Sequence, residues 1–248
     1  MKIGLYCTVS KREFHLALTT LSFAGLSDYV FRIVILITDE ESDVSRKITE
    51  KITVYSQNFG SGYSRAVADG GYDQIAARNF LIEKLSATDT DWLLMHDADD
   101  IYDLDYYRFI SEECRKADAV TCSCFSLRAG NEVCVPLEKT WNIKDRILYN
   151  PHTRIWKKTL NLRYKKSVDI ENFFVNHSRH CGVVFPEHMN IIVTDGLYHF
   201  HLHALLNKRH SKKILAYSNY NCILPKRIND FLEENDGFFI NHGQEHYV

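Results

Sequence analysis

Apolar and polar positions along the chain fall into blocks that switch between a strand period and a helix period. Lys2 to Val9 is apolar and β-rich, and Phe14, Leu18, Leu21 and Phe23 then recur at helical spacing, which predicts a βα unit. Phe31 to Thr38 is a near-continuous apolar run, the pattern of a strand buried on both faces of a parallel sheet, and it ends in Asp39-Glu40-Glu41. Ile52 to Tyr55 predicts a third strand. The Gly- and Ser-rich stretch from Asn58 to Gly71 predicts a long loop, a helix is expected from Tyr72 to Leu85, and Trp92 to His96 reads as a fourth buried strand. Beyond Asp100 the pattern predicts a helix from Leu104 to Lys116. Two strands, Ala119 to Leu127 and Glu132 to Val135, are then joined by a hairpin turn at Ala129-Gly130-Asn131. The expected fold is α/β, a mostly parallel Rossmann-like sheet flanked by helices, with an α+β C-terminal half. In such sheets ligands lie outside the carboxyl ends of the strands, so Thr8, Asp39, the 58–71 loop and the residues after His96 are expected around one crevice.

Composition narrows the picture. The 248 residues suffice for one α/β domain, and 45% hydrophobic with 25% charged residues is a globular balance. Only four prolines and eleven glycines are present, with no Pro-rich tract, so a single domain 1–248 is expected. No apolar run approaches the ~20 residues of a membrane span, and the start turns polar at Ser10-Lys11-Arg12-Glu13, unlike a signal peptide. Seven cysteines without a CxxC pair argue against a disulfide framework and for a reducing, cytoplasmic setting. Cys122 and Cys124 would share one face of the Ala119 to Leu127 strand, where core thiols are expected rather than ligands. The net charge of −2 excludes a generally basic surface, although Lys157-Lys158, Arg163, Lys165-Lys166 and Lys208-Arg209 to Lys212-Lys213 make the second half the basic one.

Chemistry concentrates in Trp92-Leu93-Leu94-Met95-His96-Asp97-Ala98-Asp99-Asp100, a buried strand that delivers three carboxylates within four positions. Like charges so close repel unless a cation sits among them, and Mg²⁺ or Mn²⁺ takes carboxylate and phosphate oxygens. Helix capping would need one aspartate, not three. Asp97-Ala98-Asp99-Asp100 after an apolar strand resembles the DxD motif of GT-A-fold glycosyltransferases, the family-two group in particular. Ala77-Arg78-Asn79 resembles that group's Ala-Arg-Asn tripeptide, with Ser64-Arg65-Ala66 as a rival match, and Thr38-Asp39-Glu40 resembles its base-contacting acid. The resemblance covers Met1 to Asp103. It implies a nucleotide-sugar-binding half (1–103) with Thr8, Asp39, Arg78, Asp97 and Ala98 at the donor, and an acceptor-side half (104–248). From the residues alone, Arg78 shares a helical stripe with Leu81, Ile82 and Leu85, so a guanidinium stands on an apolar face. Its partner is either a carboxylate of the Asp97 cluster or the diphosphate.

Leu197-Tyr198-His199-Phe200-His201-Leu202-His203 places three imidazoles on one face if it is a strand, and pairs His199 with His203 if it is a helix. The resemblance implies that a C-terminal histidine completes the metal shell, and His199 and His201 join Asp97 and Asp99 as expected ligands for Mn²⁺ or Mg²⁺. An inverting transfer needs a carboxylate base, for which Asp169 and Glu171 are the candidates, with helix capping as their other reading. Lys208 and Arg209 could supplement the cation or simply face solvent.

The expected activity is transfer of a hexosyl or pentosyl group from a nucleotide-diphosphate sugar to an acceptor hydroxyl. Basic, aromatic stretches such as Trp156 to Lys166 would suit a glycan or a phosphorylated acceptor, including lipopolysaccharide core or a modified base in DNA, and would equally suit plain solubility. A nucleotidyltransferase would use the same carboxylate-bound metal, but Cys7 to Arg12 shows no Gly-rich phosphate cradle. A non-catalytic carbohydrate- or nucleic-acid-binding module is the third reading, against which the intact triple carboxylate speaks.

Overall fold

The computed structural model of the chain describes residues 1–60, 73–128, 132–136, 140–143, 145–165, 176–178, 181–194, 196–206, 217–220 and 223–246. In chain order the elements are β1 (Ile3–Val9), α1 (Phe14–Ala24), β2 (Val30–Ile37), β3 (Val44–Lys47), β4 (Ile52–Ser56), α2 (Gln74–Ser86), β5 (Trp92–Met95), β6 (Asp100–Tyr102) and α3 (Leu104–Glu112). Next come β7 (Ala119–Cys122), β8 (Cys124–Leu127), β9 (Val133–Pro136), β10 (Thr140–Ile143), β11 (Arg146–Tyr149), β12 (His152–Lys157) and β13 (Tyr164–Lys165). The chain finishes with β14 (Asn176–Ser178), β15 (Cys181–Val183), β16 (Ile191–Val193), β17 (His199–His201), α4 (His203–Leu206), β18 (Tyr217–Asn219), α5 (Lys226–Glu234) and α6 (Asp236–His246). They gather into two compact units, both discontinuous in sequence. The first holds Met1–Ala98, Tyr107–Thr121 and Thr153–Ile192; the second holds Asp99–Tyr106, Cys122–His152 and Val193–Val248.

The first unit is built on an eight-stranded sheet of order β16-β7-β12-β5-β1-β2-β4-β3. Its centre is parallel: β1 pairs with β2 and β5, and β2 with β4, all running the same way. β12 lies antiparallel beside β5 and β3 antiparallel beside β4. The apolar run of β2 behaves as a doubly covered strand should, with Ile33 to Ile37 all buried. The fold is thus α/β around a large, mostly parallel sheet, as the alternation of periods predicts. α2 begins where Asp73 accepts a hydrogen bond from the Ala76 amide at 3.0 Å, an N-cap, and it buries Ala77, Arg78, Leu81, Ile82 and Leu85. That is the expected stripe, and it packs on Tyr6, Val34, Leu36, Leu93 and Met95 of the sheet. Gly4 permits this approach, because a Cβ there would stand 3.0 Å from the Leu85 side chain and 3.1 Å from that of Thr90.

The second unit contains a five-stranded sheet of order β18-β9-β8-β17-β6. β8 and β9 pair antiparallel, as the hairpin pattern predicts, while the turn residues 129–131 lie outside the described residues. The single strand expected from Ala119 to Leu127 is instead two. At Ser123 the chain changes sheets, since the Ser123 carbonyl accepts from the His199 amide at 3.1 Å and its hydroxyl from the Tyr149 amide at 3.1 Å. Cys122 and Cys124 therefore sit in different sheets and share no strand face. α3 stops four residues before the expected Lys116, in turns that carry Cys114 and Ala117. Among the described residues no helix is long and apolar enough to cross a membrane.

Candidate functional site

Because β1, β2, β4 and β5 are parallel, their carboxyl ends lie along one edge of the first unit's sheet. That edge collects the residues following Val9, Ile37, Ser56 and Met95. Thr8 is half-buried near the end of β1. Asp39, just past β2, accepts a hydrogen bond from the Lys11 amide at 2.7 Å, and the Lys11 ammonium lies 3.6 Å from Glu40. The strand exits are tied together by Thr38, whose amide and hydroxyl both donate to the Val9 carbonyl, at 2.9 and 3.1 Å.

Asp97 follows β5 on the same edge. Its Oδ2 lies 2.9 Å from Nη1 of Arg154, and its Oδ1 lies 3.8 Å from Nη2 of Arg78. Arg78 reaches it from the buried stripe of α2 with its guanidinium 5.0 Å from the centre of the Tyr164 ring. The Asp97 carboxylate, one of the two partners open to Arg78 in the sequence, thus lies beside it. Asn79, next in the Ala-Arg-Asn tripeptide, exchanges hydrogen bonds with the Tyr164 backbone at 2.8 and 3.0 Å and so ties α2 to β13. Arg154 is absent from the sequence-based expectations. It stands one residue before Ile155, which pairs with Leu94 where antiparallel β12 meets the end of β5. Ala98, expected at the donor, is buried, and its carbonyl accepts from the Thr20 hydroxyl at 2.8 Å. Glu13 accepts a hydrogen bond from the Ser10 hydroxyl at 3.0 Å; burial holds its carboxyl above the usual range, the Ser10 bonds offset this in part, and the charge of Asp97 adds to the rise.

The next two carboxylates belong to the second unit and meet different chemistry. β6 lies antiparallel to β17, with Asp100 opposite His201 and Tyr102 opposite His199. Asp100 Oδ1 is 2.7 Å from Nε2 of His199 and 3.1 Å from Nδ1 of His201, and Asp99 Oδ1 is 3.5 Å from the same Nδ1. The Asp99 carbonyl accepts from the Leu202 amide at 2.7 Å. Asp99, Asp100 and His201 each offer a ligand atom, all within 4.8 Å of one another. The strand reading thus holds for His199 and His201, whereas His203 opens α4. Of the four expected ligands, Asp99 and His201 come together. His199, fully buried and stacked on Tyr102 at 4.6 Å, turns to Asp100. Asp97 is met by guanidinium groups, whose fixed positive charge beside a carboxylate disfavours a cation there. The expected bases Asp169 and Glu171, the rival Arg65, and Lys208 and Arg209 lie outside the described residues.

No family model matches the chain, and no curated protein does. Among solved structures, the chain is similar to a 4-diphosphocytidyl-2C-methyl-D-erythritol synthase at 14% identity and TM-score 0.40, over 64% of this chain and 77% of that one. A second synthase of that name, from Anaerococcus prevotii DSM 20548, matches at 15% identity and TM-score 0.38, over 64% and 71%. S. aureus TarS 1–349 in complex with UDP-GlcNAc matches at 12% identity and TM-score 0.46, over 82% of this chain and 58% of that one. Similarity of this degree assigns no shared activity.

Proposed function

We propose that the chain is a divalent-cation-dependent glycosyltransferase that moves a sugar from a nucleotide-diphosphate donor to an acceptor hydroxyl. The observation that supports this most is the grouping of Asp99, Asp100 and His201, directly after a parallel strand whose exit carries Asp97. Two carboxylates and an imidazole within 4.8 Å fit a Mn²⁺- or Mg²⁺-type ion, which favours oxygen ligands and, for Mn²⁺, tolerates a nitrogen. Asp99 and His201 would hold the ion, with Asp100 as a third ligand or as the carboxylate that orients both imidazoles. When bound, the ion would supply Lewis-acid stabilisation of the charge that grows on a leaving diphosphate.

The remaining roles fall to the chain itself. Asp39 and Thr8, at the carboxyl edge of the parallel sheet, are assigned to the nucleotide. Arg78 and Arg154 fix the Asp97 carboxylate, which is assigned to the donor's ribose. An inverting reaction further needs a carboxylate to take the acceptor's hydroxyl proton as the new bond forms, a role proposed for Asp169 or Glu171. The acceptor is proposed to be a glycan or a phosphorylated molecule, on the strength of the basic second half.

The test is to incubate the full chain with millimolar Mn²⁺ and a panel of nucleotide sugars, following thermal stability and release of nucleoside diphosphate. A donor that raises the melting temperature only with Mn²⁺, and is slowly hydrolysed, supports the proposal. Its failure would be clearest if no nucleotide sugar did either while a nucleoside triphosphate was turned over with pyrophosphate release, the outcome for a nucleotidyltransferase.

A further inference from the structure

We propose that Cys124, His152 and His199 form a second metal site in the second unit, one that takes a borderline-soft ion of the zinc class. Three separate strands deliver these residues. β8 and β17 run parallel with Cys124 opposite His199, and Cys124 Sγ lies 3.9 Å from His199 Nε2. His152, the first residue of β12, has its ring centre 5.1 Å from that of His199. One ligand atom from each of the three lies within 4.8 Å of the other two. A tetrahedral zinc ion, with Zn–S about 2.3 Å and Zn–N about 2.0–2.1 Å, separates its sulfur and nitrogen ligands by about 3.5 Å. The cluster is within a rotamer adjustment of that spacing.

The donor set decides which ion would bind. A thiolate with two imidazoles favours Zn²⁺ or Co²⁺ and disfavours Mg²⁺ and Mn²⁺, so this site and the Asp99–Asp100–His201 group select different ions. Cys124 and His199 are buried, which shields the thiol from solution oxidants. Asp100 Oδ1 lies 2.7 Å from His199 Nε2, so an ion taken by Nδ1 of that ring would leave Asp100 as the outer partner that metal-bound histidines commonly use, and Tyr102 stacks parallel to the ring. A chance cross-strand Cys–His pair would account for two of these residues. It does not account for His152 converging on them from a third strand. Binding would displace the Cys124 thiol proton to solvent, since the thiolate is the ligand.

Cobalt substitution of the full chain, stripped with a chelator beforehand, tests this. The expected result is a thiolate-to-cobalt charge-transfer band in the near ultraviolet that Zn²⁺ abolishes. The band should be lost in Cys124→Ser, retained in Cys122→Ser, and shifted to at least about tenfold higher Co²⁺ concentration in His152→Ala. Should Cys124→Ser not fold, alkylation of the unaltered chain gives the answer, because Zn²⁺ should slow modification of Cys124 as read by mass spectrometry. No band in the unaltered chain, a band that survives Cys124→Ser, or alkylation of Cys124 at the same rate with and without Zn²⁺ would each overturn the proposal. The proposed function is read out separately, by Mn²⁺-dependent turnover, so either idea can fail alone.

Discussion

Asp97 and Asp99 stand two residues apart, yet the chain surrounds them with different partners. Asp97, at the carboxyl edge of the parallel sheet, meets two arginines, and Asp99, at the start of the second unit, meets an imidazole and another carboxylate. A guanidinium is permanently charged and never binds a metal, whereas a neutral imidazole beside carboxylates is a ready ligand. One acidic run therefore has two chemical fates: its first member is held by fixed charges, and its later members sit in a set that can accept a cation. Four changes would break or sharpen that contrast.

The largest effect is expected at Asp99. If it holds the ion, Asp99→Asn should lower Mn²⁺-dependent turnover by about 10²- to 10³-fold, in the range seen when one group stabilising transition-state charge is removed. Its unfolding midpoint in urea should barely move, because Asn keeps the shape and the backbone bond to Leu202. Undiminished turnover at saturating donor and Mn²⁺ would remove Asp99 from the site.

Asp100 should fail the other way, in stability first. Asp100 and His199 are both fully buried, and the carboxylate contacts two imidazoles at 2.7 and 3.1 Å. Asp100→Ala takes a buried acceptor from both and is expected to cost about 3 kcal/mol, measured by urea denaturation with the slope unchanged. A cost below about 0.5 kcal/mol would mean the carboxylate is not engaged as the structure places it. Asp97→Ala should fall between: Arg78 and Arg154 are largely buried, but Asp97 is 35% exposed, so water can solvate what it leaves. About 2 kcal/mol is expected, below the value for a fully buried pair and above that for a surface one.

What could be read from the sequence divides along the same line. β1, β2, β4, α2 and β5 lie within the first 95 residues and announce themselves by local apolar period, so the edge carrying Thr8, Asp39 and Asp97 could be placed without coordinates. Arg78 was legible because a charge on an apolar helical stripe requires a partner. Arg154 was not, because its position follows from β12 entering the sheet antiparallel beside β5, a pairing that no periodicity encodes. The histidine motif was half legible: alternation put His199 and His201 on one strand, but their partner Asp100 is 99 and 101 residues away in the chain. The same limit hid the break at Ser123. The mostly apolar stretch from Ala119 to Leu127 reads as one strand, and only the long-range bonds to Tyr149 and His199 divide it.

The smallest expected effect tests the Asp97 side of the contrast through its neighbour Glu13. Burial is the main reason the Glu13 carboxyl is held above its ordinary value of 4.5, and the Asp97 charge adds to it. A carboxyl whose folded value lies above its unfolded one stabilises fully only below the unfolded value, and that contribution is lost as pH rises through the folded one. Ionised Glu13 is therefore a small liability at neutral pH. Glu13→Gln keeps an acceptor oxygen for Ser10 without the charge, so its melting temperature should exceed that of the unaltered chain by one to a few degrees at pH 7. The gap should close as pH falls below about 4.5. A gap independent of pH would show that titration of Glu13 is not its origin. Combining the change with Asp97→Asn makes the measurement specific: with the Asp97 charge gone, ionised Glu13 is less penalised, and the benefit of Glu13→Gln at pH 7 should shrink. An undiminished benefit would mean that the arginines already screen Asp97 from Glu13, which would tighten the reading of Asp97 as a carboxylate held by fixed charge.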